Sequence, residues 1–276
     1  MSNKDIKLLS LYWIMAYIFW IPVYVAAKAG MFLTTSLTYY HILSLSLLDI
    51  LYLSALAAII LKRSDKEVPL RFFGLKVNSL RDIFVYSGLA IFPVTIMSFI
   101  IFLVLVLSGD FQMNSFIAGS LPTFITQEFS KEMVPIVGIF HWTLSGIISF
   151  VLLQAFPYEL AEQCLEKKIA FIATFVLWSG LYNGMFYTVI FGLSLQVSLV
   201  GEFIDITILG LLFLEVYKKV RSSLGLIIAY VFFYEAPVKA SIYYGLGYFA
   251  LLLILIIGAA WSAVSVIMYI LGKLRR

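Results

Sequence analysis

The chain is 276 residues long, 63% hydrophobic and only 12% charged, with a mean hydropathy of +1.04 and a net charge of +4. A soluble domain carries roughly 25% charged and 45–50% apolar residues, so these charges are too few to cover a water-facing surface of this size. Lipid must cover the rest, which excludes a soluble globular domain; the single cysteine, Cys164, excludes an intramolecular disulfide and a cysteine-built metal site.

A membrane crossing needs about 20 mostly apolar residues, and eight stretches qualify. In chain order they are Leu11–Ala27, Ile42–Leu61, Ile83–Leu107, Val134–Phe156, Ile169–Phe191, Leu195–Val216, Leu224–Ala240 and Leu246–Leu271. The first follows a charged amino terminus but has no small-residue cleavage site and runs on through Trp20 and Tyr24, so it reads as a span and not as a secretory signal. Glu202 and Asp205 interrupt the sixth, and Glu235 with Pro237 predicts a kink in the seventh. The longest connection, Ser108–Met133, reads as an interfacial helix or a loop.

Lysine and arginine set the orientation. With a cytoplasmic amino terminus, the inner segments hold Lys4 and Lys7; Lys62, Arg63, Lys66, Arg71, Lys76 and Arg81; Lys167 and Lys168; Lys218, Lys219 and Arg221; and Lys273, Arg275 and Arg276. The outer segments hold only Lys28, Lys131 and Lys239. One span more or fewer would scramble this alternation. The expected architecture is therefore an all-α, polytopic transmembrane helical bundle of about eight spans in a cell membrane. It forms one integral membrane domain over residues 1–276, with both termini cytoplasmic. Scattered glycines read as helix-packing positions, and no internal repeat or nucleotide-binding glycine pattern occurs.

Three segments, in order, resemble parts of one membrane protein family. Arg71–Asp82 (RFFGLKVNSLRD) resembles a short cytoplasmic "FGL…slrD" entry into a hydrophobic helix. Pro157–Leu165 (PYELAEQCL) stands where the family carries two adjacent glutamates and an arginine, EExxxR. Gly210–Leu224 (GLLFLEVYKKVRSSL) resembles "GlllgylyerTGSl", which leads into a helix bearing HxxxN or HxxxD. The family is that of the CAAX protease and bacteriocin-processing intramembrane endopeptidases, and the resemblance covers about Ile42 to Glu235. It implies a helical membrane fold in which glutamate, histidine and amide or acidic groups activate a water, or a metal and its water, inside a cavity. Carried over residue by residue, Tyr158 stands at the first glutamate, Glu159 keeps the second, and Gln163 replaces the arginine. Trp178 and Tyr182 stand for a phenylalanine-to-histidine motif, FxxxH, and Tyr230 and Tyr234 replace the last histidine and its partner. Tyrosine, with a pKa near 10, is protonated at neutral pH and is a poor base and metal ligand.

The resemblance thus implies the fold and argues against the activity. Tyr158, Gln163, Trp178, Tyr182, Tyr230 and Tyr234 become candidate lining of an inherited binding cavity. Glu159 and Glu162, i and i+3 on one helix face, are the candidate catalytic pair if any proteolysis remains; the bland alternative has them near the cytoplasmic boundary, paired with Lys167, Lys168 or water. His41 reads as a solvated boundary residue. His141 lies 18 positions before Glu159, about 27 Å along a helix, so the two cannot share a metal. Asp49, His141, Glu202, Asp205 and Glu235 form a possible outer polar cluster, because ionisable groups in a membrane are costly; the alternative is that they are satisfied at helix ends. Three functions follow: a non-proteolytic binding, chaperone or structural subunit of a membrane assembly; an active endopeptidase with a nonstandard Glu159/Glu162 site; or a small ion or proton transporter, against which the lack of an inverted repeat weighs. The expected partners are the lipid bilayer and a membrane protein or a prenylated or helical peptide. Neither nucleic acid nor a cofactor is expected, and no metal.

Overall fold

A computed structural model describes residues 3–28, 39–64, 73–75, 79–107, 140, 143–179, 210–235 and 248–274. The regular elements among them are helical throughout, with no strand. They are α1 (Asn3–Lys28), α2 (Tyr39–Arg63), α3 (Leu80–Leu107), α4 (Thr143–Ala161), α5 (Lys167–Ser179), α6 (210–220), α7 (Ser223–Ala229, continued by π turns over Tyr230–Glu235) and α8 (Tyr248–Leu274). Three of them contain segments long and apolar enough to cross a membrane: Ser44–Arg63, Thr143–Ala161 and Leu255–Leu274. The exposed side chains agree. Ile14, Ile18, Ile21 and Val25 make a stripe along α1, while Ile256, Val264, Ile267 and Ile270 face outward on α8 beside buried Ser262 and Ser265. Apolar residues outside and hydroxyls inside suit lipid as the solvent. The chain is a membrane protein.

The chain divides into two compact units, Met1–Lys76 with Ile147–Ser223, and Val77–Gly146 with Leu224–Arg276. In the first unit α4 is the axis. It is enclosed by other helices, with 94% of its span buried, and among its few polar side chains Ser149, Gln154 and Glu159 are hydrogen-bonded to neighbours. The expected fourth span ended at Phe156; the helix instead runs on to Ala161, because Pro157 sits at the start of an α-helical turn that follows π turns over Ile147–Ala155. Proline lacks an N–H and crowds the carbonyl four residues earlier, and a π segment widens the helix at that point. Neighbours bond to the carbonyls of this segment: Tyr12 Oη donates to Leu152 O at 2.7 Å and Ser223 Oγ to Phe150 O at 3.4 Å. The Tyr12 ring packs on Phe156, with centroids 4.9 Å apart. Tyr17 Oη donates to Leu177 O, tying α1 to α5, and Tyr52 Oη donates to Met15 O, tying α2 to α1.

In the second unit α3 and α8 form the main pair. Ser79 caps α3, its Oγ accepting from the Asp82 N–H at 3.1 Å, so the Ser-Leu-Arg-Asp run is a helix start. A Cβ on Gly88 would overlap the Ser265 side chain, and one on Gly258 would approach Thr95 Oγ1 to 3.0 Å. Small residues therefore set the separation of these helices. Trp261 stacks on Phe84, and its Nε1 donates to Phe84 O at 3.1 Å.

Candidate functional site

The carboxyl-terminal end of α4 carries the acidic pair. Glu159 lies in the last helical turn and Glu162 at the C-cap, with φ −59° and ψ −19°; Glu159 is 7% exposed. A buried carboxylate with a half-buried one this close needs a compensating charge. It comes from Arg221, just beyond α6. Arg221 Nη1 donates to Glu159 Oε1 at 2.7 Å, and Nη2 reaches both Glu162 oxygens at 2.7 and 2.8 Å. Tyr217 Oη donates to Glu159 Oε1 at 3.0 Å, and Tyr158 Oη donates to Glu162 Oε1 at 2.8 Å. The guanidinium also lies 5.2 Å from the Tyr158 ring centroid, within cation–π range.

Local backbone geometry brings Arg221 there. Its φ is +57°, the left-handed conformation that ends a helix, and its N–H donates to Tyr217 O at 2.7 Å. Glycine is the usual residue at such a position; arginine accepts the conformation because its side chain then crosses the end of α4. Burial pulls the Arg221 guanidinium down, but its bonds to Glu159 and Glu162 more than offset this and hold it above its ordinary pKa. The corner packs on Gly74, whose φ is +61° and whose carbonyl accepts the Ser223 N–H at 2.9 Å. Phe73 stacks on Phe156 with centroids 5.6 Å apart. Three distant segments thus meet: Phe73-Gly74, Phe156–Glu162 and Tyr217–Ser223.

Of the residues expected at a site, Tyr158, Glu159 and Glu162 come together. The suggested pairing with Lys167 and Lys168 is corrected: Arg221 takes both acids, while those lysines begin α5 on the far side of the turn at 162–166. Gln163 is exposed. Trp178 is buried in the first unit, its Nε1 donating to Ser149 Oγ at 2.9 Å and its ring where a Cβ of Gly210 would fall. Beside it Gln154 Nε2 donates to Gly210 O. Tyr230 is buried in the second unit near Gly146. Tyr234 is in the π turns of α7 with its side chain outside the described residues, and Tyr182 lies outside them altogether. Of the outer cluster, Asp49 is fully buried in the first unit, close enough to Tyr12 and Tyr52 to interact electrostatically. Glu235 ends the π turns of α7 with its side chain undescribed; His141, Glu202 and Asp205 fall outside the described residues.

Arg221 and Tyr217 are the site residues that sequence reasoning missed. Their i, i+4 spacing across a helix end was the available signal. Among the described residues no three His, Cys, Asp or Glu side chains gather as a metal site. A cation at Glu159 and Glu162 would have to displace the guanidinium.

Cavities open among the described residues of each unit. One, of about 460 Å³, opens beside the acidic pair in the first unit; another, of about 640 Å³, is an apolar groove between α3 and α8 in the second. The chain matches no family model, and no curated protein or solved structure matches it significantly.

Proposed function

We propose that this chain is a multi-pass membrane protein of the CAAX protease and bacteriocin-processing kind whose acidic pair has become a structural clamp. It acts without proteolysis, as a binding, chaperone or structural subunit of a membrane assembly. The carrying observation is that Arg221, Tyr217 and Tyr158 hold both carboxylates of Glu159 and Glu162. A general base must offer a lone pair to water at a pKa near the working pH. Here Glu159 Oε1 accepts from both the guanidinium and the Tyr217 phenol, while both Glu162 oxygens face the guanidinium and Oε1 also takes the Tyr158 phenol.

The family reading is supported by the meeting of the three resembling segments around this clamp. The arginine that the resembled motif carries four residues after its second glutamate is Gln163 here, and a guanidinium from a different segment reaches the acids instead. In a bilayer, the full chain reconstituted with a tagged reporter helix is expected to give no Glu159-dependent cleavage, wild type and Glu159→Gln behaving alike. Cleavage by the wild type that Glu159→Gln abolishes overturns this reading and favours a nonstandard endopeptidase.

The eight-span arrangement with cytoplasmic termini is part of the same proposal. Its support is that the connections after the second, fourth and sixth expected spans meet at one place, as they must if all are on one side. In a Cys164→Ser background, a membrane-impermeant maleimide should label Lys131→Cys and Lys239→Cys in intact cells, and Lys66→Cys and Lys219→Cys only after permeabilisation. The reverse pattern would sink the topology.

A further inference from the structure

Among the described residues, the cavity of about 460 Å³ is lined by four cations, Lys167, Lys168, Lys218 and Arg221, and one acid, Glu162. Its size falls within the range of about 300–1,000 Å³ typical of ligand pockets. The charges are unequally engaged. Arg221 is held by Glu159 and Glu162, and Lys218 pairs with Glu215, which also draws Lys219 at 3.5 Å. Lys167 and Lys168 are exposed in the first turn of α5 and make no ion pair among the described residues. Glu166, the neighbouring acid, is exposed and does not line the cavity.

The remaining wall is apolar. Phe171 and Ile172 complete it, and Lys218 Nζ sits 4.8 Å over the Phe171 ring. Ile172 belongs to an outward stripe of α5, with Ile169, Ile172 and Val176 at 51%, 60% and 57% exposure. The spacing i, i+3, i+7 continues the cavity wall along one helix face. A soluble anion would satisfy the lysines and leave this stripe unused. An occupant with an anionic head and an apolar tail uses both.

We propose that this pocket binds the phosphate headgroup of an anionic phospholipid, Lys167 and Lys168 holding the phosphate and the α5 stripe receiving the first acyl chain. Basic pockets at the cytoplasmic ends of membrane helices suit such headgroups, and the cytoplasmic placement of this one rests on the proposed topology. The pocket shares Arg221 and Glu162 with the clamp, but the phosphate falls to Lys167 and Lys168, so the proposal stands whether or not the chain cleaves peptides.

The test uses the purified full chain in mild detergent and native mass spectrometry with phosphatidylglycerol, phosphatidylcholine, and water-soluble glycerol phosphate. Phosphatidylglycerol is expected to bind the wild type, and the Lys167→Gln/Lys168→Gln variant to lose about 25-fold in affinity, at about fivefold per lysine near an anionic headgroup. A Lys62→Gln/Arg63→Gln control, which removes two charges elsewhere, should bind as the wild type does. Ile172→Ser should weaken phosphatidylglycerol and leave glycerol phosphate unchanged. Equal binding of phosphatidylglycerol and phosphatidylcholine, or equal binding by the lysine variant and the wild type, overturns the proposal. Glycerol phosphate binding as tightly as the lipid also overturns it, reassigning the pocket to a soluble anion.

Discussion

Arg221 carries the site because it does two things that conflict elsewhere. A non-glycine residue at positive φ costs about 1–2 kcal/mol, and buried carboxylates without a partner cost several. Placing the guanidinium across Glu159 and Glu162 settles the second cost by accepting the first. Where the resembled run reads Thr-Gly-Ser, this chain reads Arg221-Ser222-Ser223, and the residue at the corner is the one that makes the ion pair. Gly74 holds the corner from below. A Cβ there would approach the Ser223 backbone nitrogen and the Tyr217 ring to 2.8 Å each, at a φ that already disfavours a side chain. Gly74→Ala is accordingly expected to destabilise the folded protein by about 1–3 kcal/mol, read from denaturant unfolding in detergent micelles. Unchanged stability would mean that the corner does not pack as described.

At the scale of helices, much was legible. The starts of α2, α3, α5, α7 and α8 fall within a few residues of the apolar stretches, because a membrane helix declares itself by length and apolarity alone. The run ending at Asp82 was legible as the entry into a hydrophobic helix, and Ser79 caps that helix. Two things were not legible. Pro157 suggests a helix end, yet the preceding π turns carry the helix through it to Ala161, and this sets Glu159 inside the helix. Hydropathy does not report hydrogen-bond register, so nothing in the pattern could show this. The partner of the acids was also hidden. Counting lysines and arginines by side of the membrane treats them as equal, and only the left-handed turn after α6 distinguishes Arg221 from Lys167 or Lys218. The acids themselves were found, since Glu159 and Glu162 stand out in a chain with few charges.

The molecule as a whole combines a lipid-facing exterior with a polar cluster at the end of α4. The outward stripes on α1, α5 and α8 assign the solvent; the clamp at the end of α4 fixes where three connecting segments meet. Clamp and general base compete for one atom, since the Glu159 oxygen that anchors the guanidinium and the Tyr217 phenol is not free to activate water. The most direct measurement is a double-mutant cycle on the reconstituted protein, comparing the unfolding free energies of wild type, Glu159→Gln, Arg221→Gln and the double variant. A favourable coupling of about 1–2 kcal/mol between the two positions is expected, moderated by the partial exposure of Arg221. Independent effects, with coupling below about 0.3 kcal/mol, would contradict the clamp and return Glu159 to the list of groups free for chemistry.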